Sequence, residues 1–284
     1  MNMSQKPKLA LFDVDGTIAN KGQIPQSVID GIKHLHHKGY ITTISTGRGY
    51  IRLKEILGDL FEIIISPEAL IVIEHGTKIV DRHGRVIFGE FFNDKEIDHV
   101  VDFTRANISL FKLAWFNPIN VTEKVQVWCV DEQDVQEETE KRGHYANVFT
   151  CSIGALEGLL LKHQLTNVTL RLKEYVKVEN LKLAFTRTDT NVIFQDNNME
   201  FVKNNTNKGL AVEYIAKRLG VNKKDILIAG NAINDVEMLD VGAGISLLVS
   251  QGEDRSTILS YLSEPESIIT VDTPHDLGLY LLEI

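Results

Sequence analysis

The chain is poor in cysteine. Its 284 residues hold two, Cys129 and Cys151. Two cannot build a disulfide framework, and their spacing matches no zinc site, so they read as buried thiols of a reducing compartment. Long apolar runs are also missing. The longest, Ala69–Ile73, falls far short of the roughly 20 residues that a membrane helix needs. The first residues carry some positive charge, but Asp13 and Asp15 soon break the apolar stretch. That argues against both a signal peptide and a membrane span. An excess of positive charge is lacking too: 30 Lys and Arg stand against 39 Asp and Glu, a formal charge of -9. This disfavours non-specific nucleic-acid binding, although a local basic pocket could still hold an anion. There is no internal repeat and no low-complexity stretch. These absences lead to the expectation of a cytoplasmic protein whose partner is a small molecule, not a nucleic acid or a membrane.

The composition, 43% hydrophobic and 24% charged, is that of a chain with an ordinary core. The length suits one large domain or two modest ones. The first part alternates strand and helix patterns. Lys8–Phe12 reads as a buried strand ending at Asp13. Pro25–Lys38 is helical in spacing, with Pro25 in the first turn and Gly39 as the stop. Ile41–Ser45 reads as a second strand, Ile51–Ile56 as a helix, and Phe61–Ser66 as a third strand. This alternation predicts a parallel sheet with right-handed crossovers.

The middle of the chain reads differently. Strand patterns at Val125–Val130, Thr169–Lys173 and Lys182–Thr186 are separated by helical patterns at Asp94–Asn107, Glu132–Arg142 and Ile153–His163. This predicts an α+β insert with an antiparallel sheet. Alternation then returns: a helix over Lys208–Leu219 stopped by Gly220, a strand over Asp225–Ala229, and a helix over Asn234–Leu239 with Asn234 as N-cap. A strand at Gly244–Val249 and a helix at Asp254–Leu262 follow, and Ser267–Val271 and Pro274–Leu282 close the domain. The expectation is an α/β fold with a Rossmann-like parallel-sheet core formed by residues 1–85 and 188–284, split by an α+β domain at residues 86–187.

The strongest chemical signal is Asp13-Val14-Asp15-Gly16-Thr17, directly after the first strand. Active groups of parallel sheets gather beyond the carboxyl ends of strands. Two aspartates at that point can face one centre, and Gly16 permits the sharp turn that follows. Such a pair could serve as a nucleophile at Asp13 and an acid-base group at Asp15. A bound Mg2+, which takes one or two carboxylates plus phosphate and water oxygens, would relieve the repulsion of an anionic substrate.

The segment Phe12–Thr17 resembles motif I of the haloacid dehalogenase (HAD) superfamily, and further segments follow in that family's order. Ser45-Thr46-Gly47-Arg48 looks like motif II, in which the Thr46 hydroxyl and the Gly47 amide would bind the transferring phosphoryl group. Lys208, opening the helix pattern of Asn207–Ala216, looks like motif III and would balance charge on Asp13 and the phosphoryl group. The stretch Gly230–Asp235 resembles motif IV, which reads G-D-x-x-N-D in this branch. Asn234 and Asp235 match, while Asn231 stands where the family has an aspartate ligand of magnesium.

An Asn carbonyl can still coordinate, but without charge, so weaker metal binding and slower turnover are expected. The resemblance implies metal binding by Asp13, the Asp15 backbone carbonyl, Asn231 and Asp235, with Asn234 on the substrate phosphate. Glu74-His75-Gly76 looks like the E-N-G-[AG] element of the Cof-like and sugar-phosphatase branch. His75 replaces its Asn and is expected to be structural or solvent-facing. The position of the insert implies that branch's α/β cap, which would exclude water and choose the leaving group. Its polar candidates include Arg171, Lys173 and Lys182, and Trp115 and Trp128 read as cap core.

The resemblance implies a Mg2+-dependent phosphatase acting on a small phosphorylated metabolite, such as a sugar phosphate, through an aspartyl-phosphate. Two alternatives remain at this point. One is a binding or regulatory protein on the same scaffold, weakened by Asn231. The other is a phosphomutase.

Overall fold

A computed structural model describes residues 7–176, 181, 190–195 and 197–284. The chain forms two compact units. One comprises residues 1–48, 53–87 and 207–284, and the other residues 49–52 and 88–206.

The first unit is built on a five-stranded sheet. In spatial order its strands are Ile269–Val271, Ile245–Val249, Ile226–Gly230, Lys8–Phe12 and Tyr40–Ile44. Every pairing is parallel. The two most central strands, Leu9–Phe12 and Ile226–Ala229, are apolar on both faces and sealed from water, as strands covered by helices on both sides must be. Leu9 pairs with Ile226 and Phe12 with Ala229. On the other side Phe12 pairs with Ile44. The ends of three strands, each followed by a motif, therefore lie side by side. The helices Gln26–His37 and Pro274–Glu283 pack against each other. Pro25 is the N-cap of the former, extended at φ -60 and ψ 147, not part of its first turn.

Leu70–Ile73 and Lys78–Asp81 form an antiparallel hairpin, which Val86–Gly89 extends to three strands. A bridge from Ser45 to Val72 joins the hairpin to the end of Tyr40–Ile44. The strand expected over Phe61–Ser66 is absent. Phe61–Ile64 is a helical turn that continues the helix Tyr50–Leu57 through a tighter turn at Gly58–Leu60. Phe61 and Ile64 are both buried. They lie three residues apart, so one face of a turn buries both, and a short apolar run fits either structure.

The second unit holds a six-stranded sheet. Its order is Thr190–Gln195, Asn198–Lys203, Asn167–Leu172, Phe111–Phe116, Val125–Cys129, Ala146–Phe149. Pairing is antiparallel except between the last two strands. Residues of the helices Asp94–Ala106 and Ile153–Lys162 form a core with Trp128, Phe111 and Phe201. A second apolar cluster holds Leu113, Val127 and Cys129, with Trp115 partly buried against it. The Trp128 indole N–H donates to the Cys151 carbonyl at 3.0 Å.

This unit runs to Thr206, later than the return at residue 188 expected from sequence, because Asn198–Lys203 pairs with Asn167–Leu172 and Thr190–Gln195 pairs in turn with Asn198–Lys203. The strand expected over Lys182–Thr186, and Lys182 itself, lie outside the described residues. Arg171 is exposed, and Lys173 pairs with Asp131 at 3.6 Å.

Candidate active site

All the catalytic, phosphate-binding and metal-binding candidates read from sequence lie in the first unit. Asp13 follows the strand Lys8–Phe12, and its N–H donates to the Ala229 carbonyl at 2.9 Å. The backbone then turns hard. The Val14 carbonyl accepts from the N–H groups of Thr17, Ile18 and Ala19 at 3.3, 3.1 and 2.9 Å. Gly16 has φ +86, and a Cβ there would fall 2.1 Å from Asn231 Nδ2. Left-handed backbone and close approach together require glycine.

Lys208 opens the helix Lys208–Leu219, capped by Asn207, whose Oδ1 accepts from the Leu210 N–H. Its ammonium donates to Asp13 Oδ1 at 2.7 Å and to Asp235 Oδ1 at 2.6 Å. All three residues are buried: Asp13 is 6% exposed, Lys208 1% and Asp235 0%. Burial pushes the Asp13 carboxyl up to about 6, against the pull of Lys208. Burial alone would lower the Lys208 ammonium, but the charges of Asp13 and Asp235 outweigh it, and the ammonium is raised. Two carboxylates facing one ammonium leave one buried negative charge unmatched.

Asn231 comes next to this cluster through Thr17. The Thr17 hydroxyl lies 3.3 Å from Asp13 Oδ2 and 3.1 Å from Asn231 Oδ1. A hydroxyl carries one hydrogen, so it serves one of these acceptors at a time. Asp235 Oδ2 accepts from the N–H groups of Asn231 and Ala232, at 2.9 and 3.1 Å. Asp235 therefore fixes both the lysine and the loop, and only its remaining lone pairs could meet a cation.

Asn234 is not the N-cap expected from sequence. It lies inside the tight turn Ile233–Asp235 ahead of Val236–Leu239; the N-cap is Asp235, whose carboxylate makes no bond to that helix and accepts instead from the N–H groups of Asn231 and Ala232 before it. Among the described residues, no three His, Cys, Asp or Glu side chains group as a metal cluster. The donors here are nevertheless oxygens alone, and they carry surplus negative charge. This suits a hard divalent cation that keeps water and phosphate oxygens in its shell.

Asp15 is held by Arg48. Its carboxylate forms a two-point pair with Arg48, Nε to Oδ2 at 2.6 Å and Nη2 to Oδ1 at 2.9 Å. The side chains are 51% and 33% exposed. Thr46 is buried, and its Oγ1 accepts from the Arg48 N–H at 3.2 Å. The Thr46 N–H donates to the Val72 carbonyl at 3.0 Å. Thr46, Gly47 and Asn234 are linked to one another by His75, which stands on Gly47 and 3.4 Å from Asn234 Nδ2. His75 is buried, so its solvent-facing alternative does not hold.

The structure thus groups Asp13, Lys208, Asp235 and Asn231 directly. It holds Asp15 through Arg48, and Thr46, Gly47 and Asn234 through His75. Sequence reasoning gave no role to Thr17, Arg48 or His75. The first two lie inside recognised motifs, which was the signal available.

A family model described as haloacid dehalogenase-like hydrolase matches residues 10–260. A protein called HMP-PP phosphatase, from Yersinia pseudotuberculosis serotype O:1b, is 25% identical over 248 residues, covering 84% of this chain and 82% of its own. A solved structure from Bacteroides thetaiotaomicron, studied among phosphatases of the haloalkanoate (HAD) enzyme superfamily, is similar with a TM-score of 0.73 at 20% identity, over 100% of this chain and 97% of that one. A HAD subclass IIB sugar phosphatase is similar with a TM-score of 0.72 at 17% identity, over 97% of this chain and 98% of that one. These two likenesses are of fold.

Proposed function

The chain belongs to the haloacid dehalogenase-like hydrolases, and on that premise we propose that it is a magnesium-dependent phosphatase of a small phosphorylated metabolite, working through an aspartyl-phosphate. The observation that carries this reading is the buried Asp13 at the end of a central strand, held at Oδ1 by Lys208. Fixing one oxygen leaves Oδ2 as the attacking atom.

Oδ2 bonds to phosphorus as the bond from phosphorus to the leaving oxygen breaks, and Asp15 gives that oxygen its proton. The Asp15 carboxylate then takes a proton from water, whose oxygen displaces Asp13 and releases phosphate. The Thr46 hydroxyl, the Gly47 N–H and the Asn234 amide bind the phosphoryl oxygens, and Lys208 balances their charge. Asp13, the Asp15 carbonyl, Asn231 and Asp235 would hold Mg2+, which supplies positive charge beside the transferring group. The second unit is proposed as the cap that gives specificity. The relative called HMP-PP phosphatase supports a small phosphorylated substrate.

The test is phosphate release from a panel of phosphorylated metabolites, with magnesium and with chelator, for the chain as it stands and for Asp13→Asn. Magnesium-dependent release that disappears in Asp13→Asn supports the reading. Release that survives Asp13→Asn unchanged sinks it. Asn231 favours a second reading, a scaffold that binds phosphorylated ligands with little turnover, because its amide brings no charge to the cation site. Tight ligand binding without release, converted to turnover by Asn231→Asp, would establish that reading instead.

A further inference from the structure

The turn Glu74–Gly76 touches three separate loops of the site. Glu74, His75 and Gly76 have φ of +52, +57 and +94, and consecutive left-handed residues bearing side chains persist only where their surroundings hold them. The Glu74 N–H donates to the Arg48 carbonyl at 3.1 Å and the His75 N–H to the Thr46 carbonyl at 3.2 Å. Glu74 also pairs with Lys78 at 3.2 Å, with both side chains sealed from solvent. The Thr77 hydroxyl donates to the Glu74 carbonyl at 2.8 Å. Gly76 lies against the backbone of Asn207 and Lys208.

The His75 imidazole projects from this anchored turn. A Cβ at Gly47 would fall 2.3 Å from its Cε1 and 2.4 Å from its Nε2, so the ring occupies the space a side chain there would need. Its Nδ1 lies 3.4 Å from Asn234 Nδ2. In the tautomer with hydrogen on Nε2, Nδ1 accepts one of the two amide hydrogens of Asn234. The other hydrogen then has a fixed direction.

We infer that His75 is a positioning residue for phosphate binding: it holds the Gly47 backbone from one side and orients the Asn234 amide from the other. The inference rests on the phosphatase reading above, in which those two groups bind phosphoryl oxygens. His75 acts through them and does not meet the phosphate.

The decisive comparison is between His75→Asn and His75→Gln, with His75→Ala as the truncation. Asn carries an acceptor near the place of Nδ1 and tolerates left-handed backbone. Gln is closer to histidine in bulk but sets its amide one bond farther out. Positioning favours Asn, whereas simple packing favours Gln. The affinity of inorganic phosphate by calorimetry, KM and kcat on a phosphoester, and the melting temperature are read for each variant.

Loss of one oriented hydrogen bond predicts roughly tenfold weaker phosphate binding and higher KM in Gln and Ala, with kcat changed less than about threefold. Asn should recover most of the wild-type affinity. Wild-type phosphate affinity in His75→Gln, or affinities that follow melting temperature across all the variants, would overturn the inference and leave the phosphatase reading standing. A wild-type chain that neither binds phosphate nor releases it from phosphoesters would defeat that reading and this inference together. Should Ala fail to fold, the Asn and Gln pair still decides.

Discussion

The guanidinium of Arg48 grips the carboxylate of Asp15 at two points, 2.6 and 2.9 Å apart. Both groups are part-exposed, so water screens the pair and its share of stability is small, within about 1 kcal/mol. Its value lies in direction. Arg48→Ala should leave the melting temperature nearly unchanged while kcat falls roughly 10- to 100-fold, as Asp15, the proposed proton donor, loses its orientation. Arg48→Lys should recover only part, because an ammonium lacks the planar fork. Unchanged turnover in Arg48→Ala would dismiss the role.

Lys208 stands under different rules, because its partners are buried. Lys208→Met leaves the carboxylates of Asp13 and Asp235 facing each other without a cation. Removing one partner of a buried charge cluster costs about 3–5 kcal/mol. Urea unfolding should show a loss of that size, eased in acid as the carboxyls take up protons. A loss under about 1 kcal/mol, the range of exposed pairs, would mean that the site admits far more water than the structure shows.

The raised Asp13 carboxyl predicts a pH dependence in metal-free protein. Burial holds it at about 6 when folded, against 3.8 unperturbed. The folded state therefore keeps the proton more tightly than the unfolded chain. The associated stability is complete below about pH 4 and is lost as pH rises through about 6, on the order of 3 kcal/mol. Urea midpoints of wild type and Asp13→Asn, compared across that window with chelator present, isolate the effect. Wild type should lose stability relative to the variant as pH rises, and parallel curves would contradict the assignment.

Asn231→Asp adds a carboxylate where the Thr17 hydroxyl and Asp13 already converge. Without metal, a further negative charge should lower stability. With magnesium it should raise affinity roughly tenfold, because ligand charge sets the strength of hard-cation sites. Calorimetric titration with magnesium checks this directly, and an unchanged dissociation constant would place the cation away from Asn231.

Much of this architecture was legible because its signals are local. Lys8–Phe12 is apolar and ends at an aspartate, and the helix opened by Lys208 has an asparagine cap and a glycine stop. The Asp13-Val14-Asp15-Gly16-Thr17 signal marked Asp13, and the resemblance to the haloacid dehalogenase motifs implied Lys208 and Asp235. Other features escaped because they depend on partners far along the chain. Phe61–Ile64 carries too few residues for periodicity to separate strand from turn. Asp235 is the N-cap in place of the more obvious Asn234, and its carboxylate is taken up by Lys208 and by the loop before it. Glu74 and Lys78 have the spacing of a surface helix pair, yet they sit sealed beside a left-handed turn. The strands Thr190–Gln195 and Asn198–Lys203 join the second unit through sheet pairing, which no local pattern announces.

The placement of Lys8–Phe12 between two parallel neighbours has a consequence for how the protein is made. One neighbour, Tyr40–Ile44, is translated soon afterwards. The other, Ile226–Gly230, is translated only after the whole second unit, and Thr17 and Asn231, which meet in the finished site, are 214 residues apart. A nascent chain therefore carries a bare apolar strand edge along Leu9–Phe12 while the whole second unit is being produced. Unpaired edges of this kind recruit other chains. Chaperone demand and aggregation should thus be greatest for chains stalled before Ile226, and Thr17 meets Asn231 only when that edge is closed.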